Sequence, residues 1–294
     1  MTSGTGRLLL CVGFGFSARA LSARLRGEGF SVAGTSRSDA GVGLLEREGR
    51  EAILFDGDAP SGRLAQYIAR ATHILVSVPP DADGDRFLRH HAGDLAGAAS
   101  LSWLGYLSTV GVYGDQGGRW VDETSPTQPS SARSRWRELS EQQWQAFGRT
   151  RGRRVEIFRL AGIYGPGRSP LDALRAGTAR AIVKPGQVFN RIHVEDIATT
   201  LAASIARPMQ HEVYNLADDE PAPSHEVIAY AAALMGVRPP PLQKFSEASL
   251  SPMAMSFYGE CKRVDNARIK TSLGVQLAYP TYREGLGAIH AGMK

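Results

Sequence analysis

The chain has 294 residues, 43% hydrophobic and 21% charged, a make-up that fits a globular domain and excludes a disordered or collagen-like chain. No apolar run reaches the length of a membrane span, and the first seven residues are too short and polar for a signal peptide, so a cytoplasmic protein without a membrane partner is expected. The net charge of +5 comes from scattered arginines, densest over residues 133–154; with no basic stripe interleaved with aromatics, it argues for a solvated helix face or an anionic small ligand rather than nucleic acid.

In chain order, residues 8–12 read as a first strand and 18–28 as a first helix. Strands at 30–34 and 52–56 bracket a helix at 42–48, and a further helix covers 64–71. Residues 72–78 form a strongly apolar fourth strand, stopped by Pro79-Pro80. A helix at 87–98, a fifth strand at 101–107, a long helix at 133–149 and a sixth strand at 155–160 follow. This β-α-β-α alternation predicts a parallel, doubly wound sheet with right-handed crossovers. After Tyr164-Gly165-Pro166-Gly167 the rhythm loosens. Helices are expected at 172–181, 194–206 and 226–235 and a strand at 213–216; the tail, 265–293, mixes a short helix with loops. The expected fold is thus α/β: a Rossmann-type sheet domain over 1–165, then a smaller, mainly substrate-binding C-terminal lobe over 166–294, with segments around 190–216 returning to the first domain. Cys11 falls in a buried strand and Cys261 is the only other cysteine, so no disulfide is expected.

The first strand runs into Gly13-Phe14-Gly15-Phe16-Ser17-Ala18, a G-x-G-x-x-A pattern that opens a helix. Gly13 permits a tight turn, and Gly15 lets a pyrophosphate approach the backbone. Ala18 lets the helix pack closely on the strand, and the helix start offers free N–H groups to phosphates. Metal chemistry finds no support: His90-His91 point apart on a helix and lack ligand partners at metal spacing. No G-x-S-x-G elbow occurs.

Four separated motifs carry a family resemblance. They are the glycine turn, Leu107-Ser108-Thr109-Val110-Gly111-Val112-Tyr113-Gly114-Asp115, Arg159-Leu160-Ala161-Gly162-Ile163-Tyr164-Gly165-Pro166-Gly167, and Arg191-Ile192-His193-Val194-Glu195-Asp196-Ile197-Ala198. In this order the chain resembles the extended short-chain dehydrogenase/reductases, in the nucleotide-sugar epimerase and dehydratase branch. The tail Lys262-Arg263-Val264-Asp265-Asn266-Ala267-Arg268-Ile269 looks like that of atypical members.

The resemblance implies a dinucleotide cofactor. NAD-selective members place a carboxylate at the end of the second strand. Here Ser36 and Arg37 stand there, so NADP(H) is favoured, with Ser36 and Arg37 at the 2′-phosphate; the competing reading gives the ribose to Asp39. Asp56 and Gly57 resemble the adenine contact, and Val76, Ser77, Val78 and Pro79 lie along the cofactor's middle. Tyr164 and Gly165 are assigned to the cofactor on the same ground.

Active relatives carry a Ser or Thr at the end of strand five, and a Tyr followed four residues later by a Lys on the next helix. Thr109, beside Ser108, fills the first position. No tyrosine occurs between Tyr113 and Tyr164. One alignment puts Ser131 and Arg135 at the Tyr and Lys positions, the other Arg133 and Arg137. A positioned acid or base contributes roughly a hundredfold to ten-thousandfold in rate, so a substitute is required for turnover. Arginine is a poor acid near neutral pH. Tyr113, Tyr164, His193 and Glu123 are candidates, with packing or a solvated loop as their alternative roles. Val110-Gly111 replace the Asp-Glu pair of sugar dehydratases, which argues against 4,6-dehydration. The reading is therefore an NADP(H)-dependent oxidoreductase or epimerase-like protein with a non-standard proton donor, acting on a small molecule that resembles a nucleotide sugar. Its alternative is a cofactor-binding sensor or partner-binding protein without turnover; a structural or nucleic-acid-associated role rests only on charge. Relatives dimerise through the Tyr/Lys helix, which here is arginine-rich, so a homodimer stays open.

Overall fold

The buried strand predicted ahead of the glycine turn is the centre of a seven-stranded sheet in the computed structural model, which describes residues 6–207 and 212–293. The chain runs β1 (Arg7–Val12), α1 (Phe16–Arg24), β2 (Phe30–Ser36), α2 (Asp39–Arg47), β3 (Glu51–Leu54), α3 (Gly62–Arg70), β4 (His73–Val76), α4 (Arg86–Gly97) and β5 (Trp103–Thr109). It continues through β6 (Trp120–Val121), α5 (Ala132–Arg151), β7 (Glu156–Leu160), β8 (Gly162–Tyr164), α6 (Pro170–Arg175), β9 (Ala181–Val183), β10 (Arg191–His193) and α7 (Val194–Ala206). The remainder is β11 (Val213–Leu216), α8 (Ser224–Met235), β12 (Leu242–Lys244), α9 (Pro252–Tyr258), β13 (Arg263–Val264), α10 (Ala267–Leu273) and α11 (Tyr282–Gly292).

The sheet order is β11-β7-β5-β4-β1-β2-β3. The pairs β1/β2, β2/β3, β1/β4 and β4/β5 are parallel, so the chain reverses its winding between β1 and β4. This is the doubly wound Rossmann arrangement, whose ligands bind beyond the carboxyl ends of the strands at that reversal. Leu9, Leu10, Cys11 and Val12 are fully buried, as a central strand covered on both faces requires. Burial also pushes the Cys11 thiol up to about 12, which keeps it an inert core residue.

The chain divides into two compact units. The first joins Met1–Thr109, Ala132–Arg159 and Ala198–Tyr214. The second joins Val110–Ser131, Leu160–Ile197 and Asn215–Lys294. The core of the first packs both sheet faces with residues such as Leu10, Ile74, Phe87, Tyr106 and Trp144. The second has its own core of Tyr164, Leu171, Val227, Tyr282, Leu286 and Ile289.

The helix expected at 172–181 is corrected. Ser169 caps α6, with Pro170 at its first turn, and Gly177 at φ 66° lies just beyond its end, so a strand, β9, begins at Ala181. The first helix stops at Arg24 because Gly27 and Gly29 take positive φ. The tail holds two helices rather than one, and α11 opens with a Thr281/Glu284 capping box.

Under the end of β5 lies a buried ion pair. Arg159 Nη2 donates to Glu141 Oε2 at 2.7 Å, and both residues are almost fully buried. Ser108 Oγ donates to Glu141 Oε1 at 2.5 Å. Removing one partner of such a pair leaves an uncompensated charge in the core. Arg159→Met is therefore expected to cost about 3–5 kcal/mol of stability, read as the shift in urea midpoint; a variant within 1 kcal/mol of the parent would contradict it.

Candidate functional site

In the first unit the glycine turn is fastened from both sides. Gly13 N donates to Thr35 Oγ1 at 2.8 Å and Phe14 N to Thr35 O at 3.0 Å, tying it to β2. Ser77 Oγ donates to Gly13 O at 2.7 Å, tying it to the residue after β4. Gly13 sits at φ 92°, and a Cβ there would lie 2.7 Å from Ser77 Oγ. Gly15 is the opposite case: it is the N-cap of α1, and a Cβ on it would meet nothing within 4 Å. No side chain caps the N-terminus of α1, and no acidic residue stands in its first turn. The positive end of the helix dipole is thus presented with neither a side-chain cap nor a carboxylate beside it. Ser17 and Ala18 are buried against the sheet, and Phe16 is half-buried. Phe14 covers Gly34, and the Arg19 and Arg50 guanidiniums lie 5.4 and 4.8 Å from its ring.

Arg37 is exposed at the end of β2 and makes no hydrogen bond or ion pair among the described residues. Asp39 lies two residues on, in the first turn of α2, behind Ser38, whose side chain caps that helix. A carboxylate there complements the helix dipole, which accounts for Asp39 without a ligand. Ser36 is half-buried. Asp56 Oδ1 accepts from Asp58 N, and Gly57 takes φ 90° with its carbonyl 3.1 Å from His90 Nε2. His91 is held by Asp94 and Ser61, so both histidines have structural partners. Val76 is buried, Ser77 and Val78 half-buried and Pro79 exposed at the end of β4.

Thr109 closes β5 in the same unit, half-buried, with Ser108 tied to Glu141 beneath it. Arg137 reaches this strand end from α5: its Nη1 donates to Tyr106 Oη and to Leu107 O, both at 2.9 Å. Arg133 and Arg135 are exposed on the first turns of α5. Of the two alignments, the one ending on Arg137 therefore names the arginine anchored at β5. The sequence reading missed Glu141, Arg159 and Thr35. An arginine inside the apolar run Ile157-Phe158-Arg159-Leu160 is the signal that could have exposed the pair, because a buried cation needs an anion.

The other expected site residues lie in the second unit. Tyr164 is buried in that unit's core, its hydroxyl facing Thr281 O at 3.4 Å and its ring edge-on to His193. Burial raises its phenol far above the ordinary range. Gly165 is buried beside it. His193 is buried too; Nδ1 accepts from Glu195 N, and burial lowers its basicity. Tyr113 Oη donates to Asn215 Oδ1 at 2.7 Å. Glu123 accepts from Asn215 N and pairs with Arg268 at 3.4 Å, while burial raises its carboxyl. Ser131 is half-buried just before α5. The tail motif works as a strap on the loop that holds Tyr113. Lys262 Nζ donates to Gly114 O at 2.6 Å and pairs with Glu260, and β13 lies parallel to β6. Among the described residues no helix is long and apolar enough to cross a membrane.

Residues 93–217 match the model of the NAD dependent epimerase/dehydratase family. A solved structure from Silicibacter pomeroyi, described as a functionally unknown conserved protein, is 50% identical; the match covers 98% of this chain and 99% of that one, with a TM-score of 0.88. Protein YeeZ of Escherichia coli K12 is 27% identical over 92% of this chain and 95% of its own length. A 3-diazoavenalumate denitrifying reductase of a Streptomyces species is 25% identical, covering 96% of this chain and 99% of that protein. Its Rossmann sheet, its fastened glycine turn and the match over residues 93–217 make the chain similar to the NAD-dependent epimerase/dehydratase family.

Proposed function

We propose that this protein is a dinucleotide-dependent oxidoreductase that prefers NADP(H) and acts on a small molecule through an atypical proton donor. The observation that carries the reading is the turn at Gly13–Ala18: rigidly tied at Gly13, open above Gly15 and uncapped at α1. A pyrophosphate fits such a cradle, because backbone N–H groups and open space converge on one place. The likeness of residues 93–217 to the NAD-dependent epimerase/dehydratase family supports the same cofactor class. Arg37, exposed at the end of β2 and without a partner among the described residues, supports the phosphorylated dinucleotide, since a guanidinium binds a 2′-phosphate bidentately. Serine 36 adds a hydroxyl beside it.

When bound, the nicotinamide supplies or accepts hydride. The chain's own residues hold the rest. Thr109 offers a hydroxyl at the end of β5 to orient a substrate oxygen, and Arg137 fixes that strand end. Tyr113, Tyr164, Glu123 and His193 are engaged inside the second unit, which weakens their claim as proton donors. The helix α5 carries no tyrosine. That observation favours a second reading, a cofactor-binding sensor without turnover. The two separate on steady-state NADPH consumption across a panel of small carbonyl compounds.

Three outcomes test the reading. Arg37→Ala is expected to weaken NADPH by roughly 1.5–3 kcal/mol in calorimetric titration and to leave NADH nearly unchanged; equal losses would remove Arg37 from the 2′-phosphate. Gly15→Val should fold with a melting temperature near the parent's, because its side chain enters open space, yet lose binding of both dinucleotides. Thr109→Val is expected to lower turnover while dinucleotide affinity stays within about twofold, about 0.4 kcal/mol. Unchanged turnover would end the role given to Thr109.

A further inference from the structure

One guanidinium of the first unit is fastened in place yet has no counter-ion. Arg137 stands on α5, half-buried, beside the carboxyl end of β5. Its Nη1 donates to Tyr106 Oη and to Leu107 O, both at 2.9 Å, and among the described residues it makes no ion pair and no other hydrogen bond. Both acceptors are neutral, so the charge itself is unmet, and Nη2 and Nε keep their N–H groups for a ligand. Asp85 acts on Arg137 only from a distance, and burial raises the Asp85 carboxyl toward its neutral form. A half-buried cation without an anion is costly, and a negatively charged oxygen relieves that cost.

The fastening also sets where the cation stands. Val76 of β4 pairs with Tyr106, and Leu107 is the next residue of β5. Arg137 is therefore held at the carboxyl edge of the sheet, one strand from the reversal between β1 and β4. Thr109 lies two residues beyond Leu107, about 6.6 Å along an extended strand. An oxygen placed between the guanidinium and the threonine reaches both at about 3 Å. The neighbouring hydroxyls are committed elsewhere. Ser108 gives its proton to Glu141. Tyr106 is fully buried, accepts from Arg137, and has its phenol pushed up to about 12 by burial, so it is no proton donor at neutral pH.

We propose, resting on the dinucleotide-dependent reading above, that Arg137 is an electrostatic catalyst: its guanidinium, with the Thr109 hydroxyl, holds the oxygen of a carbonyl substrate while negative charge builds on it, and water supplies the proton afterwards. The carbonyl carbon gains the hydride that the reduced dinucleotide gives up. The π pair of the C=O bond moves onto oxygen, and the alkoxide takes a proton from water, which leaves hydroxide. A fixed charge aimed at the reacting oxygen replaces proton transfer, so α5 needs no tyrosine. The substrate class follows. Charge stays on the oxygen through the transition state, so the carbonyl must help to carry it. Electron-poor ketones and aldehydes are turned over, and simple ones hardly at all.

The test begins with calorimetric titration of the full chain, saturated with NADP⁺, with isobutyrate and with isobutyramide, which share a shape and differ in charge at oxygen. The parent is expected to bind isobutyrate at least tenfold tighter. Arg137→Gln, whose amide still donates to Leu107 O, should keep its melting temperature and lose that preference, and Arg137→Lys should keep part of it. Arg137→Met gives the same reading if the glutamine variant fails to fold. With NADPH, trifluoroacetone should be reduced at least tenfold faster than acetone, and Arg137→Gln should lower kcat by about a hundredfold, the cost of one lost oxyanion donor. Equal binding of the two probes by the parent, an undiminished preference in Arg137→Gln, or no reduction of trifluoroacetone would each overturn the assignment. NADP⁺ titration alone reads the dinucleotide proposal: without that binding both fall, whereas NADP⁺ binding with no Arg137-dependent preference removes only the role of Arg137.

Discussion

A carboxylate buried where the first unit can least tolerate one fixes the geometry of its candidate site. Glu141 stands on the buried stripe of α5, almost out of water, and is stable there because Arg159 of β7 and Ser108 of β5 converge on it. One side chain thus ties a helix to two strands. In an apolar interior that tie is directional: the pair holds its charge-assisted hydrogen bonds only when helix and strands keep one register. Thr109 follows Ser108 directly, so the register of the tie is also the register of the candidate substrate hydroxyl. Arg137, one turn before Glu141, adds a second fastening at Leu107 O.

The glycine turn shows the same logic with backbone groups. Gly13 is needed for its left-handed φ and for the closeness of Ser77, while Gly15 is needed for what is not there. Two glycines two residues apart thus serve different ends. The first is a matter of folding, the second of leaving room.

Much of this was legible in the sequence. The strand-turn-helix at Leu8–Leu21 and the alternation that follows were readable because both periods are long and the turn is chemically marked. The strand at 213–216 and the helix at 194–206 were found at their true bounds. The strands of the second unit were not, since β6 and β13 span two residues each and β8, β9, β10 and β12 three each, too few to show an alternation. The helix expected at 172–181 overran because the left-handed Gly177 was not weighed as a stop. At the site, the glycines, Arg37 and Thr109 could be read from type and spacing. Glu141 and Thr35 carry no such mark in their own neighbourhood, because what makes them matter is a partner 18 or 22 residues away in the chain; for Glu141 the hint lies in that partner, the arginine inside the apolar run of β7. The engagement of Tyr164, His193, Tyr113 and Glu123 in the second unit is likewise a fact of packing that no local pattern announces.

The strap formed by the tail has a consequence for how the molecule is made. The loop after Tyr113 leaves the ribosome early, yet its strand β6 pairs with β13, and Gly114 accepts from Lys262, both near the end of the message. Asn215, which receives Tyr113, comes from between them. The first unit has most of its strands early and can begin to collapse while synthesis continues, whereas the second must keep its first segment waiting until nearly the whole chain is out.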